Sequence, residues 1–290
     1  METFDHALKY LLEHEPEGFL RFALGGASVQ VLRPVEAALP SRGREIDGGY
    51  RARVDGEARV AHMEFHRRHQ SQTELAVDVA EAQVRLYRRE ATEVVSVVWD
   101  LYGDRKAPVL SACSLRYAAG SLSTYTRVNL RGMGWRALLA EGPPALWPLV
   151  ALTADGASEE GVLAARRAIG ARTDLSEGRR ADHLAVLWFV AEAEDVAVAA
   201  MRVYIREEEL MQSVLYQEIF AKGERAGELK GERRGELRAE RRGITDLCDA
   251  FGVALTPERE AWLEGADLTQ LAELRAYLKR ERAWPEATAG

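Results

Sequence analysis

The first apolar stripe of the chain has helical spacing. It consists of Phe4, Ala7, Leu8, Leu11 and Leu12. Residues three or four positions apart lie on one face of an α-helix, so the chain is expected to begin with a helix that packs on a core. The β-branched run at 29–35 contains Pro34, and because proline lacks a backbone donor, this run is predicted to form a short strand at the edge of a sheet.

Strict alternation replaces helical spacing from residue 46 onward. Apolar and small residues occupy the even positions from Ile46 to Val54, and mainly polar residues occupy the odd ones. After Asp55-Gly56-Glu57 the parity reverses, so that apolar residues are odd and polar residues even from 61 to 66. Two alternating runs joined by an Asp-Gly or Gly-Glu turn predict a β-hairpin with one apolar face and one polar face.

The predicted hairpin brings particular polar side chains together. With a two-residue turn at either Asp55-Gly56 or Gly56-Glu57, the numbers of paired residues sum to an odd value, so Asp47, Glu64 and His66 share a face. In the first register Asp47 lies opposite Glu64. In the second it lies opposite His66 and diagonal to Glu64, within about 7 to 8 Å between backbones.

A helix and a buried strand are predicted after the hairpin. The segment 71–74 fits a capping box, and apolar residues follow it at helical spacing for about five turns. The valine-rich run 94–99 is typical of a strand covered on both faces, and 110–117 and 123–130 are further candidate strands. This order of elements predicts an α/β fold in which a mixed sheet is flanked by helices.

The rest of the chain is predicted to be mainly helical. Residues 131–221 have mostly helical apolar spacing, and 222–243 carry glycine at nearly every fourth position, with eight basic and five acidic side chains. Interior glycines weaken a helix, so 222–243 is predicted to be a marginal linker helix. Residues 244–290 are expected to form a small helical tail. The linker and tail are the expected contact of a homo-oligomer.

Composition narrows the classes of function. The 290 residues include 46 acidic and 39 basic side chains, a formal net charge of -7, so any attraction for nucleic acid has to be local. No apolar run approaches the roughly 20 residues that span a bilayer, and the acidic start does not resemble a secretory signal. The distant cysteines, Cys113 and Cys248, do not form a disulfide framework. A cytoplasmic protein without membrane contact is therefore expected.

The polar face of the hairpin carries the candidate chemistry. Asp47, Glu64 and the backbone carbonyl of Phe65 offer hard oxygen ligands suited to Mg²⁺ or Mn²⁺, with positions left for water and a phosphate oxygen. A metal there polarises the phosphate and activates the water. His66 is placed to orient that water or to offset transition-state charge. The candidate DNA contacts are Arg42, Arg44, Arg51, Arg53, Arg67 and Arg68.

Two other interpretations of the hairpin stay open at this point. An amphipathic hairpin with one solvated face produces the same alternation without any site. A zinc site would need His62, His66 and His69 at helical spacing, but the alternation favours a strand and the order His-Glu-x-x-His is absent. The chain also contains neither a phosphate-loop motif nor a nucleophile-elbow motif. It therefore lacks the minimum residues of a P-loop nucleotide-binding protein and of an α/β-hydrolase.

The order and spacing of several short segments identify a resemblance. The segments are 4–12, 34–40, 45–47, 63–66, 84–89 and the valine-rich strand that follows. Together they resemble the Rpn family of recombination-promoting nucleases, within the PD-(D/E)XK nuclease superfamily. The resemblance covers about residues 1–130, and the period-four segment with its helical tail is also similar to the C-terminal ends of many such proteins.

The resemblance implies a restriction-endonuclease-like core, DNA cleavage with a divalent metal, and a link to recombination or mobile elements. Asp47 then takes the place of the strand aspartate and Glu64 that of the second metal carboxylate. His66 stands where the family pattern has glutamine or lysine. We therefore expect a Mg²⁺-dependent DNA endonuclease in residues 1–130. The alternative is a descendant that keeps the fold without catalysis and binds DNA or a protein partner.

Overall fold

The chain divides into two units, 1–218 and 219–290. The computed structural model describes residues 2–35, 46–66, 71–118, 121–196, 201–202 and 204–285. Among these residues, no helix is both long enough and apolar enough to cross a membrane. The candidate site lies in the first unit, which is an α/β structure.

A mixed β-sheet of six strands forms the centre of the first unit. The strands are β1 (Val29–Pro34), β2 (Gly48–Val54), β3 (Glu57–His66), β4 (Val94–Asp100), β5 (Leu110–Ala118) and β6 (Ser121–Val128). Their order in the sheet is β1-β2-β3-β4-β6-β5. The neighbours β3, β4 and β6 are parallel, and the other pairs are antiparallel. The ends of β3, β4 and β6 therefore meet the start of β2 at one edge of the sheet.

The hairpin of β2 and β3 turns at Asp55 and Gly56. Val54 pairs with Glu57, and the two turn residues have φ angles of 49° and 84°. Positive φ at both central residues is the requirement of a type I′ turn. The same register pairs Gly48 with Met63 at the start of β2, and the pairing ends there. The first of the two predicted registers is confirmed.

Helices α1 (Glu2–His14) and α2 (Pro16–Ala23) cover one face of the sheet. The Tyr50 hydroxyl donates to the backbone carbonyl of Leu12 at 3.2 Å, which ties α1 to β2. The Phe19 ring of α2 meets the Trp99 ring of β4 edge-on, with 4.8 Å between centroids. These contacts bury the apolar side of the hairpin, as its alternation predicts.

Helix α3 (Gln72–Glu90) covers the opposite face. It begins at the predicted capping box, in which Ser71 and Glu74 satisfy each other's backbone N–H groups. Leu86 of α3 packs in one cluster with Val60 of β3. His62 lies on this side of β3 and is completely buried. The interpretation of this face as simply solvated is therefore wrong, because a helix covers much of it.

The alternation of β2 does not extend back to Ile46. The sequence pattern placed Ile46 on the face of Tyr50, whereas Ile46 belongs to the cluster of Leu86 on the α3 side. This prediction is wrong because β2 begins only at Gly48, and a residue outside the strand does not follow its pleat. Asp47 likewise lies outside the strand, and its side chain contacts Lys9 of α1. The alternation that predicted a shared face for Asp47, Glu64 and His66 therefore does not reach Asp47.

The helices after the sheet belong to the same unit. Among the described residues they include the α-helices α4 (Trp135–Glu141), α5 (Glu159–Gly170), α6 (Glu177–Ala193) and α7 (Glu207–Leu210), and a 3-10 helix spans Pro144–Leu152. The Tyr10 hydroxyl of α1 donates to Asp182 of α6 at 2.6 Å, and burial is the main cause that raises the pKa of Tyr10 to about 12. Most of the predicted region 131–221, up to residue 218, thus belongs to the same unit as the sheet.

The second unit is helical. Helix α8 (Val214–Phe251) begins shortly before the boundary at residue 219 and contains the whole period-four segment, and α9 (Pro257–Gly265) and α10 (Leu268–Glu281) follow it. Ile244 and Cys248 of α8 form a core with Leu271 and Leu278 of α10. The glycines of the period-four segment contribute nothing to this core, since a Cβ atom at Gly231, for example, would meet no atom within 4 Å.

A glycine-to-alanine pair tests the packing around β2. A Cβ atom at Gly49 would lie 2.5 Å from Val35 Cγ2 and 2.8 Å from Ile46 Cδ1. Gly49→Ala is therefore expected to lower the free energy of unfolding by about 1 to 3 kcal/mol, the usual cost of overpacking. The control, Gly170→Ala in α5, meets no atom closer than 3.6 Å and is expected to be neutral or stabilising. Equal effects of both variants in urea denaturation would contradict this account.

Candidate active site

Titratable side chains gather at the edge of the sheet where the parallel strands end. They are Asp47 before β2, Glu64 and His66 of β3, Asp100 of β4 and Arg127 of β6. The carboxyl ends of parallel strands are the usual place for a site in an α/β protein, because loops there leave a crevice. Three of the five, Asp47, Glu64 and His66, are the residues that the sequence predicts for catalysis.

Asp47 is held from two directions. The backbone N–H of Phe65 donates to Oδ2 of Asp47 at 2.8 Å, and Nζ of Lys9 lies 2.9 Å from Oδ1. Lys9 also lies 3.5 Å from Asp5, one turn earlier in α1. Burial alone would lower the pKa of Lys9, but the two carboxylates outweigh burial and raise it above its usual value. Lys9 is therefore a permanent cation at physiological pH.

Lys9 is a residue that the sequence analysis missed. It lies on the polar side of an ordinary amphipathic helix, where a lysine is unremarkable in sequence. Its one local signal is the i, i+4 spacing from Asp5, which many surface helices share. Only the packing of α1 on the sheet brings Lys9 to Asp47.

Glu64 is oriented by a buried histidine. Nε2 of His62 lies 3.1 Å from Oε1 of Glu64, and Nδ1 lies 3.0 Å from Oγ of Ser96. Because a carboxylate only accepts hydrogen bonds, we assign the proton to Nε2, and the Ser96 hydroxyl then donates to Nδ1. The His62 side chain has no exposed surface, whereas that of Glu64 is 24% exposed. The carboxylate is thus fixed in direction and open to a ligand.

His66 is turned toward Asp100. Its Nδ1 atom lies 4.0 Å from Oδ1 of Asp100, and the two residues pair across β3 and β4. Nε of Arg127 lies 3.9 Å from the other carboxylate oxygen of Asp100. Nε2 of His66 is buried without a hydrogen-bond partner among the residues described. The basic group expected beside Glu64 is therefore engaged with a different carboxylate.

Asp100 keeps its charge despite partial burial. Burial raises the pKa of a carboxyl group, but the interaction with His66, the N–H of Tyr102 and the charge of Arg127 together hold the pKa of Asp100 below its usual value. The Tyr102 N–H donates to Oδ1 of Asp100 at 3.2 Å. Asp100 therefore remains ionised throughout the physiological range.

The structure places two of the six candidate DNA contacts. Arg51 donates to a carboxylate oxygen of Glu90 at 2.8 Å, which offsets its charge, and Arg53 donates to the carbonyl of Gly56 at 3.2 Å. At about 3.3 Å per residue, Arg53 lies roughly 20 Å along β2 from Asp47. The remaining candidates lie outside the described residues: Arg42, Arg44, Arg67 and Arg68.

The described residues contain no group of three or more His, Cys, Asp or Glu side chains with the geometry of a metal site. The hypothesis of a zinc site with His62, His66 and His69 at helical spacing is excluded, because residues 57–66 form a strand. His69 lies outside the described ranges.

Mg²⁺ needs fewer protein side chains than a structural zinc ion, since it retains several waters. Each oxygen of Asp47 accepts one bond and keeps a second lone pair. Asp47, Glu64 and the carbonyl of Phe65 therefore fit Mg²⁺ as a set of hard oxygen donors.

No protein-family model, curated protein or solved structure matches this chain. The class of protein is therefore defined by its own geometry. It is an α/β protein with a six-stranded mixed sheet between helices, a carboxylate-rich sheet edge and a helical C-terminal region.

Asp100→Asn tests the electrostatics of this edge. Because the folded-state pKa of Asp100 is depressed, its charge stabilises the fold above the unfolded-state pKa of about 3.9, and this stability is lost as pH falls through the lower folded-state pKa. Asp100→Asn is expected to lower the free energy of unfolding by about 1.5 to 3 kcal/mol at pH 7, with a smaller deficit below pH 4.

The control for this measurement is Glu93→Gln. Glu93 pairs with Arg59 at 2.7 Å, but its side chain is 68% exposed, so removing its charge should change stability by less than about 1 kcal/mol. Urea titrations of wild type and both variants from pH 2 to pH 7 give the comparison. A deficit of Asp100→Asn that stays constant over this range would contradict the assignment of a charged Asp100.

Proposed function

We propose that this protein is a divalent-metal-dependent DNA endonuclease with a restriction-endonuclease-like core in its first unit. The observation that carries the proposal is the placement of Asp47. Its carboxylate is held at 2.8 Å by the N–H of Phe65, the residue that follows Glu64 in β3. Two carboxylates at adjacent positions on a sheet edge are what metal-assisted phosphodiester hydrolysis requires.

In this proposal the site residues have two different roles in hydrolysis, metal binding and orientation of the metal ligands. Asp47, Glu64 and the backbone carbonyl of Phe65 would hold Mg²⁺ or Mn²⁺, which when bound polarises the phosphate and makes a bound water more acidic. In the reaction the water oxygen bonds to phosphorus, a phosphorus–oxygen bond to one sugar breaks, and the leaving oxygen takes up a proton. His62 and the Phe65 N–H orient the two carboxylates before substrate binds, so no reorganisation is needed in the transition state.

In this proposal Asp100 positions His66, and Arg127 lies on the other side of the Asp100 carboxylate. The ionised Asp100 restrains the His66 ring at one edge of the site, with 4.0 Å between Nδ1 and Oδ1. His66 is then available to orient water or to offset charge on the phosphate. The resemblance to the Rpn family extends the proposal to a role in recombination or in mobile elements, with DNA as the substrate.

A second candidate function is DNA or protein binding without catalysis. One observation favours it: His66 replaces the glutamine or lysine of the family pattern and faces Asp100 at 4.0 Å. The charge of Arg51 is also offset by Glu90. A protein of this kind would keep the fold and bind DNA with an affinity that falls with salt, but would leave the DNA intact.

Plasmid cleavage separates the two functions. Full-length protein is incubated with supercoiled plasmid and Mg²⁺ or Mn²⁺, beside Asp47→Asn and Glu64→Gln. Each variant is expected to lose about 100-fold or more in cleavage rate, because each removes a charged ligand without changing shape. The control is Glu57→Gln at the start of β3, whose side chain is 67% exposed and which should cleave like wild type.

If wild type, both site variants and the control relax the plasmid at the same rate, the enzyme proposal is overturned. Retention of plasmid in a gel-shift assay by an inactive wild type would then favour the binding function.

A further inference from the structure

Lys9, His66 and Arg127 are the basic side chains described at the candidate site, and they lie beside different carboxylates. His66, which the sequence places in the basic role, has its Nδ1 atom 4.0 Å from Asp100. Nζ of Lys9 lies 2.9 Å from Asp47. The cation in contact with a proposed metal carboxylate is therefore the lysine from α1 and not the histidine from β3.

We propose that Lys9 supplies a permanent positive charge beside Asp47 in the active site, by contact with the phosphate or the attacking water. The inference rests on the proposed function and names a residue for it. An ammonium group has three N–H donors, of which Asp47 and Asp5 account for two. The Lys9 side chain is 41% exposed, so the third donor can reach a ligand from solvent.

The position of Lys9 is set by a rigid element. Its helix α1 buries Leu8, Leu11 and Leu12, which are at most 1% exposed, and the Tyr50 hydroxyl ties the end of α1 to β2 at 3.2 Å. Asp5 restrains the lysine from the preceding turn at 3.5 Å. A side chain held on a packed helix keeps its geometry better than one on a loop, as a catalytic cation requires.

Lysine suits this role better than histidine. Phosphodiester hydrolysis accumulates negative charge on the phosphate in the transition state, and a fixed cation stabilises that charge most when it needs no change of protonation. A lysine ammonium stays charged across the physiological range, whereas a histidine is only partly charged near neutral pH. The departure of His66 from the family pattern is thereby compensated from another element of the fold.

Kinetics and metal binding of the full chain distinguish this role from an ordinary ion pair. The variants are Lys9→Met and Lys9→Arg. The control is Lys279→Met, which changes an exposed lysine of α10 in the second unit. Lys9→Met is expected to lower kcat for duplex cleavage by about 100-fold or more, with KM changed only a few-fold. Lys9→Arg should recover part of kcat, and Lys279→Met should match wild type.

Mn²⁺ titration without DNA gives a readout besides activity. Asp47 loses a competing cation in Lys9→Met, so Mn²⁺ should bind as tightly as in wild type or more tightly, whereas Asp47→Asn should weaken it. A Lys9→Met variant that melts at a lower temperature, loses Mn²⁺ binding and is not rescued by arginine would show a structural role, and would overturn the proposal.

The same variants separate the role of Lys9 from the nuclease activity itself. If Lys9→Met cleaves at the wild-type rate while Asp47→Asn and Glu64→Gln are inactive, the role of Lys9 is refuted and the nuclease stands. If all of these variants cleave like wild type, the site itself is refuted, and the role of Lys9 with it.

Discussion

The register of β2 against β3 is the constraint on which the rest of the first unit depends. Side chains of a strand alternate between faces, so a slip of one residue would exchange His62 and Glu64 with Met63 and Phe65. The polar pair would then lie under α1 and α2, and the aromatic ring would lie under α3. The turn at Asp55 and Gly56 prevents this, because both residues adopt the positive φ that a two-residue turn requires.

The polar side chains on the face of the sheet covered by α3 are held by hydrogen bonds and ion pairs to one another. A polar group removed from water is costly unless it finds a partner, so the covered residues form networks. His62 joins Ser96 to Glu64, and Asp100 lies between His66 and Arg127. The interactions that make burial tolerable are therefore the same ones that fix the directions of the site side chains. Stability and site geometry are coupled in this sheet.

Charge is arranged locally on a chain that is acidic as a whole. The net charge of -7 repels phosphate at long range, and salt screens that repulsion beyond about 8 Å in physiological solution. Near the sheet edge the cationic groups of Lys9 and Arg127 lie beside carboxylates, at 2.9 Å from Asp47 and 3.9 Å from Asp100. If Asp47 and Glu64 hold a divalent metal ion as proposed, the charges of these groups would nearly balance before substrate binds.

The sequence by itself determined the features that depend on neighbours along the chain. Alternation and the Asp-Gly turn predicted the hairpin and placed Asp47 opposite Glu64 in one of two registers, and the capping box predicted the start of α3. Only the tertiary structure decided that α3 covers the polar face, that Ile46 leaves the alternation of β2, and that Lys9 reaches Asp47. Periodicity reports which face of an element is apolar, but contacts between distant segments depend on how whole elements pack, and no local pattern encodes that.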